Sequence, residues 1–116
     1  MTEQPEMTLR TIALDDLDAC PAYPPERLDG LDDLREAIES SRLIIPPVVM
    51  PSAGGRYVLL DGHRRVAVAR LLHRDTLPCF VSPTTDDPVT AFAKLQLSVD
   101  AEQRVLPFGR RISDAP

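Results

Sequence analysis

The sequence predicts a small mixed α/β domain, a short sheet with helices packed on it, and three observations carry that prediction. Apolar runs of strand length alternate with amphipathic stretches in the order strand, loop, helix, strand, strand, helix, strand, helix. The 116 residues suit one core, and 43% hydrophobic content with 4% aromatic residues and no Trp makes that core aliphatic. Residues 57–72 join a strand, a glycine turn and a helix in one continuous stretch, Tyr57-Val58-Leu59-Leu60-Asp61-Gly62-His63-Arg64-Arg65-Val66 and on to Leu72. The domain is expected over 9–108, between a flexible N-terminus (1–8) and a polar, flexible tail (109–116).

In chain order, the β-branched and aliphatic residues of 8–14 predict a first strand, ended by Asp15 and Asp16. Pro21, Pro24 and Pro25 remove donors and restrict their predecessors, so residues 20–27 form a loop with Arg27 at its end. Asp29 or Asp32 then caps a helix reaching about Ser41, with Leu31, Leu34, Ala37 and Ile38 as its apolar stripe. Residues 43–50 read as a strand and 51–55 as a turn, so that 43–50 and 57–60 pair as a hairpin leading into the glycine turn. The helix after that turn is followed by a short connection and a buried strand at 77–81, where Cys79 is a small core residue. Asp86 or Asp87 before Pro88 starts the last helix, one face of which is Val89, Phe92, Ala93, Gln96 and Val99, with Leu95 beside it.

Charge and cysteine usage exclude several classes of function. A net charge of −5 argues against autonomous, tight binding of duplex nucleic acid, because no positive body is there to displace counterions. Cys20 and Cys79 form no metal-ligand spacing and no disulfide framework. With no signal peptide and no apolar run of membrane length, the chain reads as a reduced cytoplasmic protein without membrane contact.

The chemistry concentrates at the glycine turn. A helix N-terminus carries roughly half a positive charge, so His63, Arg64 and Arg65 in its first turn each oppose the dipole by about 0.3–1 kcal/mol. Free N–H groups there, with two guanidinium forks, describe a phosphate or carboxylate site. The alternative is two solvated arginines and an Asp61 that caps the helix or pairs with one of them. On the phosphate reading, Arg64→Ala and Arg65→Ala abolish ligand binding and leave the unliganded protein as stable or slightly more stable.

The pattern resembles the ParB/sulfiredoxin superfamily, specifically the ParB N-terminal domain, over about Leu9 to Pro107. The resemblance rests on Pro25-Glu26-Arg27, on Leu43-Ile44-Ile45-Pro46-Pro47-Val48-Val49, on Asp61-Gly62-His63-Arg64-Arg65 and on Asp100-Ala101-Glu102-Gln103-Arg104. It implies a nucleotide, CTP or ATP/ADP, with its phosphates on Gly62, His63, Arg64 and Arg65 and further contacts from Arg27 and Arg104. It also implies Mg²⁺ held at Asp100, in keeping with magnesium's preference for one or two carboxylates plus phosphate oxygens.

Arg42 and Ile45 stand where the family has glycine and glutamine, which leaves the base unspecified, and Ala101 replaces an asparagine, with Glu102 a candidate substitute. Sulfiredoxin places a cysteine immediately before His-Arg, where this chain has Gly62, so sulfinic-acid repair is excluded for want of a thiolate.

Three functions are therefore expected in descending order, beside a degenerate scaffold that binds nothing. The first is a nucleoside-triphosphate switch of ParB type, with slow CTP or NTP hydrolysis, in a DNA-partition or regulatory context. It would reach DNA indirectly or through segments absent here and would act as a homodimer. The second is an ADP- or ATP-dependent kinase of free-serine type, with Asp61 as catalytic base. The third is a ParB-like nuclease, which the lack of clustered carboxylates makes weakest.

Overall fold

The structure, a computed structural model, describes residues 7–42 and 44–105, with side chains up to residue 97. Five strands form one sheet in the order β1-β5-β3-β4-β2. Strand β1 (Thr8–Ala13) runs antiparallel to β5 (Thr76–Val81), pairing Thr8 with Val81 and Ala13 with Thr76. Strand β3 (Val48–Pro51) lies parallel to β5 and antiparallel to β4 (Tyr57–Asp61), so the expected hairpin is present. Strand β2 (Leu17–Asp18) adds a two-residue parallel edge to β4.

Alternation along β4 divides the interior in two. Leu59 joins Ile12, Leu14, Leu17, Val49 and Leu77 on the face covered by Val66 and Ala69 of helix α2 (His63–Leu71). Val58 and Leu60 point the other way and join Cys20, Met50 and Ala91 beneath helix α3 (Pro88–Val105). The period of two along a strand thus gives one sheet two covered faces. Helix α1 (Asp32–Ser41) packs at the margin against α2.

Several expectations need correction. Of the expected run 43–50, Leu43 lies outside the described residues and the rest is strand only from Val48, because Pro46 and Pro47 supply no ladder donors; the Pro47 carbonyl still accepts from Phe80 N–H at 2.8 Å. Neither Asp29 nor Asp32 caps α1: Leu31 occupies that position without a side-chain cap, and Asp32 opens the helix. Ala37 is exposed while Ile38 is buried, since a marginal helix covers only a narrow stripe. The proline loop contains a 3₁₀ turn, Pro25–Leu28, with Pro25 at its first position, where a missing N–H costs nothing.

At α3, Asp87 is the cap. It accepts Thr90 N–H at 2.9 Å and Thr90 Oγ1–H at 2.8 Å, and these bonds hold its carboxyl below the usual carboxylate range. Cys20 and Cys79 are both buried and free, and burial pushes the Cys79 thiol up to about 11, as befits a core residue. Two arginines tie the first loop to the rest: Arg70 donates to the carbonyls of Leu14 and Leu17, and Arg56 forks onto Asp18 with two bonds of 2.8 Å.

Candidate functional site

The glycine turn opens onto a cleft of about 320 Å³ lined by Tyr23, Arg27, Leu34, Leu60 and residues 61–65, with Phe92 and Gln96 of α3 on the far side. Arg27, Asp61, Gly62, His63, Arg64 and Arg65, named from sequence, therefore share one wall-to-wall space. Asp100 and Arg104 follow Gln96 by four and eight residues on α3, but their side chains lie outside those described. A second hollow of about 210 Å³ lies across Leu60; its cation, Lys94, is already on Asp86 at 3.0 Å. The first cleft is the candidate because it holds a helix terminus.

Gly62 makes that terminus. Its φ of +94° is the left-handed region in which side chains are strained, and a Cβ there would lie 2.8 Å from Pro47 Cβ. The glycine lets the chain reverse from β4 into α2 while pressed against Pro47. Asp61 does not cap the helix: no side chain does, and Val66 N–H to Gly62 O at 3.0 Å is the first helical bond. The N–H groups of the turn before it have no intrahelical acceptor, so the cleft receives the positive end of the α2 dipole.

The three basic-type residues of the first turn have three different roles. His63 is not a cation. It is only 5% exposed, its Nε2 accepts Cys20 N–H at 3.0 Å, and its ring stacks on Tyr23 with centroids 3.9 Å apart. An accepting Nε2 puts the imidazole proton on Nδ1. Burial pushes its pKa from 6.5 down to about 4, with the Asp61 carboxylate offsetting part of that shift. The expected dipole penalty at this position is absent because the ring is neutral.

Arg64 is committed elsewhere. Its Nη1 donates to the carbonyls of Arg27 and, at 2.8 Å, Asp29, and its Nη2 donates to Gly30 O at 2.9 Å. Removing it would take the donor from three loop carbonyls, a cost that the expectation of an unharmed unliganded protein leaves out. Arg65 is held loosely: Nη1 lies 3.3 Å from Ile45 O and Nη2 lies 3.7 Å from Asp61 Oδ2. Among the described residues no ion pair engages Arg27. Among the described residues, Arg65 and Arg27 are thus the cleft cations a ligand can recruit.

Tyr23, Leu34, Phe92 and Gln96 were not foreseen as cleft residues. Gln96 left a trace, since it is the polar member of an otherwise apolar helix face. Tyr23 left none, its place depending on His63 forty residues later. Among the described residues no group of three or more His, Cys, Asp or Glu side chains is placed to hold a metal, and no helix is long and apolar enough to cross a membrane.

A family model described as the ParB N-terminal domain matches residues 1–97. A probable chromosome-partitioning protein ParB from Coxiella burnetii is 32% identical over 76 residues, which are 64% of this chain and 26% of that protein. Among solved structures, the C-terminally truncated ParB of Caulobacter crescentus complexed with CTP-gamma-S superposes with a TM-score of 0.63 at 23% identity, covering 85% of this chain and 56% of that one. A free serine kinase in complex with ADP superposes with a TM-score of 0.56 at 22% identity, covering 74% of this chain and 35% of that one. The two structural likenesses establish the fold, and this chain spans about a quarter of the Coxiella relative's length.

Proposed function

Since the chain belongs to the ParB N-terminal domain family, we propose that its cleft binds the phosphates of a nucleoside triphosphate and that the bound nucleotide switches the domain between states in a DNA-partition or regulatory setting. The observation that carries this reading is the uncapped N-terminus of α2 facing a cleft that Arg27 and Arg65 also line. Phosphate oxygens accept from the first-turn N–H groups. Arg65 gives up its long contacts to Ile45 and Asp61 for them, and Arg27 closes from the loop side. The Caulobacter relative's complex with CTP-gamma-S supports a triphosphate as ligand.

Tyr23, Phe92 and Leu34 give the rest of the cleft an apolar lining for the nucleoside, with Gln96 as a hydrogen-bonding group. The described residues do not by themselves compose a metal site. Asp100, one helical turn beyond Gln96, is the family-matched carboxylate for Mg²⁺, which would neutralise phosphate charge when bound. Arg104 is the further family-matched contact. A homodimer and an indirect, nucleotide-controlled link to DNA complete the proposal, as does slow hydrolysis of CTP or another triphosphate in the cytoplasm.

A second reading, a kinase acting on a small hydroxyl substrate such as free serine, is favoured by Asp61. Its carboxylate stands at the cleft and is 41% exposed, held among the described residues by the 3.7 Å contact to Arg65, so it could accept an acceptor-hydroxyl proton. The kinase neighbour's complex with ADP supports this alternative. A nuclease gains no support from the described carboxylates.

Thermal unfolding with CTP, ATP, ADP and GTP, each with and without Mg²⁺, separates these readings. A ligand at a hundredfold over its Kd should stabilise by about 2.7 kcal/mol. Arg65→Ala should remove that gain while leaving the unliganded midpoint in place. If no nucleotide moves the midpoint, both readings fail; ADP or ATP turnover accelerated by free serine and lost in Asp61→Asn establishes the kinase.

A further inference from the structure

The outer wall of the cleft is the loop 20–30, which brings Tyr23 and Arg27 to the site yet has only one short 3₁₀ turn of regular structure. Both of its ends are fastened to the first turn of α2. Its start is held where Cys20 N–H meets His63 Nε2 and Tyr23 stacks on the same ring. Its end is held where Arg64 gathers the carbonyls of Arg27, Asp29 and Gly30. Those carbonyls lie at and just beyond the C-terminal end of the 3₁₀ turn, where aligned peptide dipoles favour a cation.

We propose that Arg64 is a positioning residue: with His63 it clamps the loop onto α2 and so sets Arg27 at the cleft, while the ligand's negative charge is met by Arg27, Arg65 and the first-turn N–H groups. The proposal rests on the anion-binding reading of the cleft and divides the labour within it. A guanidinium has five N–H donors in a rigid fork, and three of Arg64's are spent on three separate carbonyls, which matches its planar geometry. Lysine, a single point of charge with three donors, cannot span the same fan. Adjacent residues with opposite fates follow from helical geometry, since 64 and 65 leave the helix about 100° apart.

Two measurements test this on the full chain. Amide hydrogen exchange of the unliganded protein should show Arg64→Ala speeding exchange across residues 20–30 while sheet amides stay protected. Calorimetric titration with inorganic pyrophosphate and with CTP should show Arg64→Ala weakening binding by about ten- to hundredfold, the scale set by residues that orient a ligating group. Arg27→Ala should cost as much, and the double variant should be within about twofold of Arg27→Ala alone, because both changes remove one contact.

Arg64→Lys should restore neither loop protection nor affinity, and Arg65→Ala should weaken binding with the loop still protected. Losses that multiply in the double variant, or affinity restored by lysine, would make Arg64 a direct ligand and overturn the proposal. So would unchanged exchange over 20–30 in Arg64→Ala. If the unsubstituted protein binds neither probe, the anion site itself fails and the exchange result alone decides the clamp.

Discussion

At Gly62 a side chain is excluded by conformation and by space together: φ is +94°, and a methyl group would meet Pro47 Cβ at 2.8 Å. Gly62→Ala therefore strains the backbone and pushes β3's lead-in away from the turn. Positive-φ strain and overpacking together should cost about 2–4 kcal/mol, readable as a lowered midpoint in urea. Gly54 and Gly55 also have positive φ but meet nothing within 4 Å, so alanine there should cost less. The need for glycine at 62 was legible from its place between a strand and a helix. The closeness of Pro47 was not, because it depends on the hairpin's third dimension.

Arg42 ends α1 in the left-handed region, with φ 62° and its N–H on Ile38 O at 2.7 Å. The resemblance had marked this position as one where the family carries glycine, and the backbone supplies the reason: a helix C-terminus closed by a left-handed residue. Arg42→Gly should stabilise by about 0.5–1 kcal/mol, the relief of strain exceeding the added freedom of the unfolded chain, measurable by the same denaturation. Elements with a strong period or a strong breaker were readable beforehand. Strand β4, the turn at Gly62, helix α2 and the Asp87-Pro88 start of α3 all stand where their residues indicated.

What escaped reading at this scale was long-range. Arg64 meets carbonyls 34 to 37 residues earlier in the chain, and no local pattern marks a guanidinium that will be consumed by backbone. The same holds for His63, read as a cation and found as a buried acceptor. Strand β2 was missed because two residues supported only by β4 carry no alternation to detect.

At the scale of the whole molecule, His63 couples stability to pH. Its folded pKa, about 4, lies below the unfolded value near 6.5, so the unfolded chain takes up the proton first as pH falls. The stabilisation present above pH 6.5 is lost progressively down to about pH 4, by roughly 2 kcal/mol at pH 5. Denaturation at pH 7 and pH 5 should show that loss, and His63→Gln, which cannot titrate, should flatten it.

The sheet's two edges also differ in what they offer another molecule. β1 presents six residues, whereas β2 presents two, fenced by the Arg56 fork on Asp18 and by Asp15 and Asp16. A strand adding to β2 would gain almost no ladder and would have to displace a bidentate ion pair, as in edges guarded against aggregation. The short strand that sequence patterning overlooked thus works as a stop, keeping the sheet from growing on the side of Asp18.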